Sequence, residues 1–184
     1  MPNKMNWGFP KGSVAQTLRK ILYPDLTDHE VEAIVVCLMA HLMLESRLNT
    51  LIFRSHLQHD APQPPQGEQP SKARDALWEA LVKIGFAKKY SLVEPFFAQL
   101  FPKEATTAWK INDLRNTIFH GRAVAEAEFE GKPISDEETV ENIFLSAQFA
   151  AMQLDKFEEM ISGRYVIAET WTKKTKEWFA AQGL

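Results

Sequence analysis

Apolar residues recur at helical spacing along most of this chain, and the clearest case follows a predicted helix start. Thr27 and Glu30 are spaced as a capping box, in which each side chain satisfies a backbone N–H of the other residue. The run that follows includes "AIVVCLMAHLML", which supplies a broad apolar face. The pattern predicts one long helix from Asp28 to about His56.

Similar patterns predict two helices in the middle of the chain. Ser71 can cap a helix over "KARDALWEALVKI", which Gly85 would end. A second capping-box spacing, Ser91 with Glu94, predicts a short helix that begins there and runs to about Leu100.

Two more helices are predicted after Pro102. One runs from about Lys103 to His120, with Gly121 as its C-terminal cap. The other is a long amphipathic helix that ends at Gly163, and a third capping-box spacing, Ser135 with Glu138, precedes it.

The remaining segments define the domain organisation. Residues 1–26 contain three prolines and two glycines and are predicted to form an irregular arm with a short helix near "VAQTLRKIL". Residues 27–163 form the predicted bundle, interrupted by an exposed proline-rich loop at 59–71 and by a loop or small hairpin around Gly131. Residues 164–184 are predicted to form a helix that packs on the bundle or on a dimer partner. Strand-like runs are nearly absent, so the predicted fold class is all-α, an up-and-down bundle of five to six helices.

Composition and charge narrow the function classes. The 184 residues are 45% apolar and 24% charged, which is typical of one soluble globular domain. The formal net charge of −3 provides no overall positive field for coating nucleic acid. No stretch is long and apolar enough to span a bilayer, and the first residues lack the apolar core of a signal peptide. We therefore expect a cytoplasmic protein that does not enter a membrane.

The single cysteine and the paired histidines are weak candidates for chemistry. Cys37 lies in an apolar run, where a buried structural thiol is expected, and one cysteine allows neither an intrachain disulfide nor a cysteine-rich zinc site. His56 and His59 have a spacing that a metal can use, but no distant third ligand accompanies them. No metal or other cofactor is predicted.

The segment "INDLRNTIFHG" carries the strongest chemical signal. Histidine can act as a base or an acid near neutral pH, and the permanently charged guanidinium of arginine grips phosphate oxygens. His120 and Arg115 therefore suit metal-free cleavage of RNA, with the amide of Asn116 orienting the phosphate or the ring. Five residues on a regular helix rotate by ~500°, which leaves the two side chains about 140° apart. Gly121 places His120 at the helix end, where its ring can swing, and Arg115 is long enough to curl round. A second subunit can also supply the complementary arginine or histidine, so we predict a composite cleft.

These residues resemble the motif of the HEPN superfamily, helical domains with an Arg and a His separated by four to six residues. Leu114, Arg115, Asn116, His120 and Gly121, in "LRNTIFHG", carry the match, and the surrounding helices extend the resemblance over residues 28–161. The resemblance implies a homodimer in which two motifs face one cleft, and many members are metal-independent endoribonucleases that act as toxins or defence effectors. Such an enzyme takes RNA as its substrate and is often paired with an antitoxin.

The resemblance also admits a different class of function. Some members have lost activity and act as transcriptional regulators or protein-interaction modules.

Glu45 in the middle of the long first helix can orient Arg115 or His120. Asn49 lies one turn further on the same face, so the two can form a polar patch that lines the cleft. A purely structural role is also open for Glu45, as a surface residue or in an intrahelical pair with Arg47 or the turn of Arg54.

The motif residues can instead have purely structural roles. Arg115 can pair with Asp113 or an acid of a neighbouring helix, and His120 can cap carbonyls at the helix end. Seven acids against two basic residues between Arg122 and Glu141 would repel RNA if they faced the cleft.

Overall fold

The computed structural model describes residues 13–22, 24–60, 71–120 and 124–163, together with 173–174, 177–178, 180–181 and 183. Six α-helices and one small hairpin account for nearly all of this part of the chain, which confirms the predicted all-α bundle. The helices are α1 (Ser13–Ile21), α2 (Asp28–Asp60), α3 (Ser71–Lys83), α4 (Phe86–Leu100), α5 (Pro102–Phe119) and α6 (Glu137–Gly163). A short 3-10 helix, Val124–Glu126, leads into the strands β1 (Glu128–Phe129) and β2 (Lys132–Pro133).

Helix α2 begins at the predicted capping box. The backbone N–H of Thr27 donates to Glu30 Oε2 at 2.8 Å, and the N–H of Glu30 is 3.2 Å from Thr27 Oγ1. This reciprocal pair satisfies two of the N–H groups that a helix start leaves without a partner. The helix continues four residues beyond the predicted end, to Asp60.

Helices α2 and α6 run parallel and form the centre of the bundle. Three contacts advance together along both helices: the His29 ring with the carbonyl of Ser135, Arg47 with Asp155, and Arg54 with Glu158. Both helices also contribute buried alanines to the closely packed core. These are Ala33 and Ala40 on α2 and Ala147, Ala150 and Ala151 on α6.

Helix α4 starts five residues earlier than the capping-box spacing predicts. Gly85, with extended backbone angles, is its N-cap residue, and Ser91 lies inside the helix, where its hydroxyl donates to the carbonyl of Lys88 at 2.8 Å. Glu94 accepts a bond from the indole of Trp109 at 2.7 Å instead of capping a helix. The prediction of a start at Ser91 is wrong because the buried apolar face already begins at Phe86.

The start of α6 also differs from the prediction by one residue. The first intrahelical bond runs from the N–H of Val140 to the carbonyl of Asp136, and the Asp136 carboxylate accepts from the Thr139 hydroxyl at 3.2 Å. Asp136 therefore occupies the N-cap position, where aspartate is among the preferred residues. Ser135 contributes its backbone carbonyl to the contact with His29.

A tight hairpin separates α5 from α6. Phe129 pairs with Lys132, and the two turn residues between them, Glu130 and Gly131, have φ of 55° and 78°. Positive φ at both central residues is the conformation of a type I′ hairpin turn, which glycine adopts without steric strain. The buried Phe129 ring anchors the hairpin on the core.

Most of the predicted helix over 164–184 lies outside the described residues. Residues 1–12 of the predicted arm lie outside them as well. Within the described part, the Trp178 indole donates to the carbonyl of Lys88 on α4 at 3.1 Å.

Candidate functional site

Helix α5 carries the motif and ends at it. Pro102 occupies the first turn, where its missing N–H costs nothing, and Ala108, Ile111, Leu114 and Ile118 pack into the core. The last helical residue is Phe119. His120 follows as the C-cap, with its backbone N–H bonded to the Asn116 carbonyl at 2.9 Å and its side chain exposed. The predicted position of His120 at the helix end is confirmed, while Gly121 lies outside the described residues.

Arg115 is half-buried and held along its own helix. Its Nη1 donates to Asn116 Oδ1 at 3.0 Å, and its guanidinium carbon lies 5.3 Å from the centroid of the Phe119 ring. The stacking adds a cation–π attraction. Neither of the acidic pairings considered for Arg115 appears among the ion pairs of the described residues.

His120 faces a different surface. With Asp113, Asn116 and Thr117 it lines an open depression of about 350 Å³ on the outer side of α5. Arg115 is not among the lining residues, as expected from the ~140° between the two positions on a regular helix.

Asn116 connects the two motif residues within one copy of the chain. Its side-chain oxygen accepts the bond from Arg115, while the same residue lines the depression beside His120. The structure therefore links Arg115 to Asn116 by a hydrogen bond and places Asn116 and His120 along the same depression, and it leaves the guanidinium and the imidazole on different faces of α5.

Glu45 and Asn49 do share one polar site, but they hold a residue that the sequence did not single out. Lys89 of α4 is completely buried, with Nζ 2.5 Å from Glu45 Oε1 and 2.8 Å from Asn49 Oδ1. A buried ammonium requires such partners, because burial without them would remove its hydration uncompensated. The contacts observed for Glu45 are with Lys89 and His41, and those do not include Arg115 or His120.

His41 joins this group to the motif helix. It lies one turn before Glu45 and is 7% exposed, with Nδ1 3.8 Å from Glu45 Oε2, and the side chain of the buried Asn112 on α5 influences its pKa. Its ring also packs 4.9 Å from that of Phe86.

The pKa of His41 is lowered, mainly because burial disfavours the charged imidazolium. The Glu45 carboxylate and the Asn112 side chain oppose this effect, and the positive charges of Arg115 and Lys89 add to it. The imidazole therefore favours its neutral form close to the guanidinium of Arg115.

We call these five residues of α2, α4 and α5 the polar core cluster. They are His41, Glu45, Asn49, Lys89 and Asn112. A sequence signal for Lys89 and His41 did exist: once α4 begins at Phe86, Lys89 falls on its buried face, and His41 is spaced i, i+4 from Glu45. Because α4 was predicted to start at Ser91, Lys89 fell outside the predicted helix and its burial was not predicted.

The other chemical candidates do not assemble into sites. Cys37 is buried and its pKa is raised to about 12 by burial, which confirms the predicted structural thiol. Within the described part of the chain no three histidine, cysteine or acidic residues converge as a metal site, and the side chains of His56 and His59 lie outside it. None of the helices that the structure describes has the length and apolar character needed to cross a membrane.

Comparison of the chain with protein-family models, with curated proteins and with solved structures found no significant match to any of them.

Proposed function

We propose that the protein is a metal-independent endoribonuclease of the HEPN type, in which His120 acts as acid or base and Arg115 holds the phosphate. The observation that carries the proposal is the connection through Asn116, which accepts a bond from Arg115 and lines the depression beside His120. An anion in the depression would meet the amide of Asn116 and the imidazole of His120, and the guanidinium would have to come from a second copy of the chain.

The proposed reaction needs one base, which removes a proton from the RNA, and one acid, which gives a proton to it. The 2′-hydroxyl loses its proton to a base and attacks the adjacent phosphorus, while an acid protonates the departing 5′-oxygen. The products are a 2′,3′-cyclic phosphate and a free 5′-hydroxyl. An imidazole serves either role, and a guanidinium bonded to the phosphate favours the more highly charged transition state.

A homodimer is part of the proposal, because one copy presents the Arg115 guanidinium and the His120 imidazole on different faces. Pairing two α5 helices would let the guanidinium of one copy approach the imidazole of the other. Each half of the cleft would then contain one Arg115, one Asn116 and one His120.

The test is cleavage of RNA in the presence of EDTA by the wild type, His120→Ala and Arg115→Ala. We expect each variant to lose on the order of 100-fold or more in turnover, the usual contribution of a positioned acid–base group or charge stabiliser. Arg47→Ala, which removes an exposed arginine paired with Asp155, is the matched control and should retain wild-type activity. Identical background cleavage by wild type and both variants would refute the proposal.

A non-catalytic module that regulates transcription or binds a protein partner is the second candidate. Asp113 favours it, since a carboxylate lining the depression repels phosphate. Expression of the protein in a bacterial host distinguishes the two candidate functions by their effect on growth. A toxic ribonuclease acting on cytoplasmic RNA would arrest growth unless an antitoxin were present, and His120→Ala would relieve the arrest. A binding module would leave growth unaffected by that substitution.

A further inference from the structure

Helix α6 presents apolar side chains on its outer face as well as on its inner face. Leu145, Phe149 and Met152 are 47%, 52% and 50% exposed, and they follow the spacing i, i+4, i+7. On a regular helix these three positions lie within about 60° of one another, so they form one continuous stripe. We call these three residues the α6 stripe. Single exposed apolar residues are normal on a protein surface, but a continuous apolar surface indicates a binding site.

The α6 stripe borders a groove that can receive the side chains of a partner. Phe149 and Ser146 of α6 line this groove of about 510 Å³ together with residues between 102 and 110 of α5. The rim is polar and carries Lys103 and Lys110. An apolar centre with a polar rim is the usual composition of a protein–protein interface.

The charges at the two ends of the α6 stripe show which partner fits it. Glu141 and Lys156 are exposed, and neither takes part in the ion pairs of the described residues. The midpoint between them lies between residues 148 and 149, and each charge is about 11 Å from it along the helix axis. Leu145 and Met152 lie about 5 Å to either side of the same midpoint.

This arrangement is complementary to itself under a twofold rotation. A second α6 that crosses antiparallel at the midpoint places Leu145 against Met152 of the other copy and Glu141 against Lys156 of the other copy. Each contact is made twice, as in any interface between two identical surfaces. A parallel arrangement would instead place Glu141 against Glu141, which is unfavourable.

The like charges on this face lie farther from the midpoint. Glu138 and Glu159 are about 16 Å from it along the axis, where two crossing helices have diverged. Glu138 is also 3.6 Å from Lys132 within its own copy, and Asp155 is 3.5 Å from Arg47. These acids therefore do not oppose the antiparallel crossing.

We propose that the α6 stripe is the interface of an antiparallel homodimer, in which two copies of α6 cross at residues 148–149. The surface differs from the depression beside the motif, because the groove ends at Lys110 and His120 lies about 15 Å further along α5. The inference is therefore independent of the proposed function. A chain that used both surfaces would assemble beyond a dimer.

Analytical ultracentrifugation of the wild type and two single variants tests the interface. Leu145→Glu and Phe149→Glu each place a carboxylate in the apolar centre, and we expect each to weaken association on the order of 100-fold or more. Val82→Glu is the matched control, because Val82 of α3 is an aliphatic side chain that is 50% exposed. The control should sediment as the wild type does, and circular dichroism checks that each variant keeps its helices.

Charge reversal tests the antiparallel crossing. Glu141→Lys and Lys156→Glu should each weaken association about 10-fold, since each substitution places two pairs of like charges in one dimer. The double variant with both substitutions restores opposite charges and should associate as the wild type does. This series decides alone if the glutamate variants of the stripe fail to fold.

A wild type that stays monomeric at its highest soluble concentration would overturn the inference. Leu145→Glu and Phe149→Glu variants that associate as the wild type does would also overturn it, as would a double reversal no stronger than the single ones. If the motif cleft dimerises as well, the stripe variants lose one association step and keep the other, which supports the inference. His120→Ala should leave this association unchanged, so a failure of the ribonuclease proposal does not affect it.

Discussion

The burial of His41 makes the free energy of unfolding of this protein depend on pH. Its pKa in the folded state is below the ordinary value, first because of burial and then because of the nearby charges of Arg115 and Lys89. Between the two pKa values the unfolded chain binds more protons than the folded chain, so folding releases them. The stability that neutral His41 contributes is thus complete above the unfolded pKa of ~6.5 and is lost as the pH falls through the folded pKa.

We therefore expect the free energy of unfolding to fall when the pH is lowered from about 7.5 to about 5.5, a range that spans the ordinary histidine pKa. Urea titrations of the wild type and His41→Gln measure it, and the variant should show a clearly weaker dependence. Glu30 and Glu130 have pKa values below 4.5, lowered by hydrogen bonds to Thr27 and Lys110 respectively, so their contributions are lost only at lower pH. Equal slopes for wild type and variant would contradict this account of His41.

Residue types alone point to some of the candidate residues and give no signal for Lys89, which only the packing of the helices brings into the core. The chemistry of Arg115, Asn116 and His120 is visible in the sequence because a guanidinium, an amide and an imidazole in one helical segment are a recognisable set. Lys89 gave no such signal, since lysine is most often exposed and its burial depends on partners 40 and 44 residues away.

At the scale of helices, identical sequence signals have different outcomes. Thr27 with Glu30 and Ser91 with Glu94 have the same capping-box spacing, but only Thr27 lies at a helix start. Ser91 lies within α4, because Phe86 and Lys89 upstream of it already pack into the bundle. Packing of an apolar face outweighs a capping preference of about 1 kcal/mol.

This difference predicts unequal effects of two similar substitutions. Thr27→Ala should destabilise the protein by about 1 kcal/mol, because it leaves an N–H of α2 without its partner. Ser91→Ala should change stability by no more than a few tenths of a kcal/mol, since its hydroxyl bonds only to a carbonyl of its own helix. Chemical denaturation of both variants checks the pair, and a larger loss for Ser91→Ala would show that the start of α4 has been misassigned.

At the scale of the whole molecule, the bundle depends on the close parallel packing of α2 and α6. The alanines that both helices contribute to the core are buried, whereas the arginine–carboxylate pairs that join the two helices are partly exposed. Exposed ion pairs contribute at most about 1 kcal/mol, but an enlarged side chain in a tightly packed interior displaces the backbone.

We expect Ala147→Leu to destabilise the fold by about 1–3 kcal/mol through overpacking, and Arg54→Ala by about 0.5 kcal/mol or less. Ala87→Leu is the matched control, because Ala87 is exposed at the start of α4 and has room for the larger side chain. Thermal and urea unfolding of the three variants should rank Ala147→Leu as the most damaging. The opposite ranking would mean that the edge ion pairs, not the small residues, hold the helices together.

The amino-acid sequence by itself determined the all-α class, the long first and last helices of the bundle and the position of His120 at a helix end. These features depend on local periodicity and on residues within a turn of one another, so they can be predicted without knowing the fold. Only the tertiary structure decided that Lys89 is buried, that Glu45 and Asn49 hold it, and that His41 is buried against the ring of Phe86. Those contacts join side chains far apart in the chain, and no local pattern specifies which helices will bring them together.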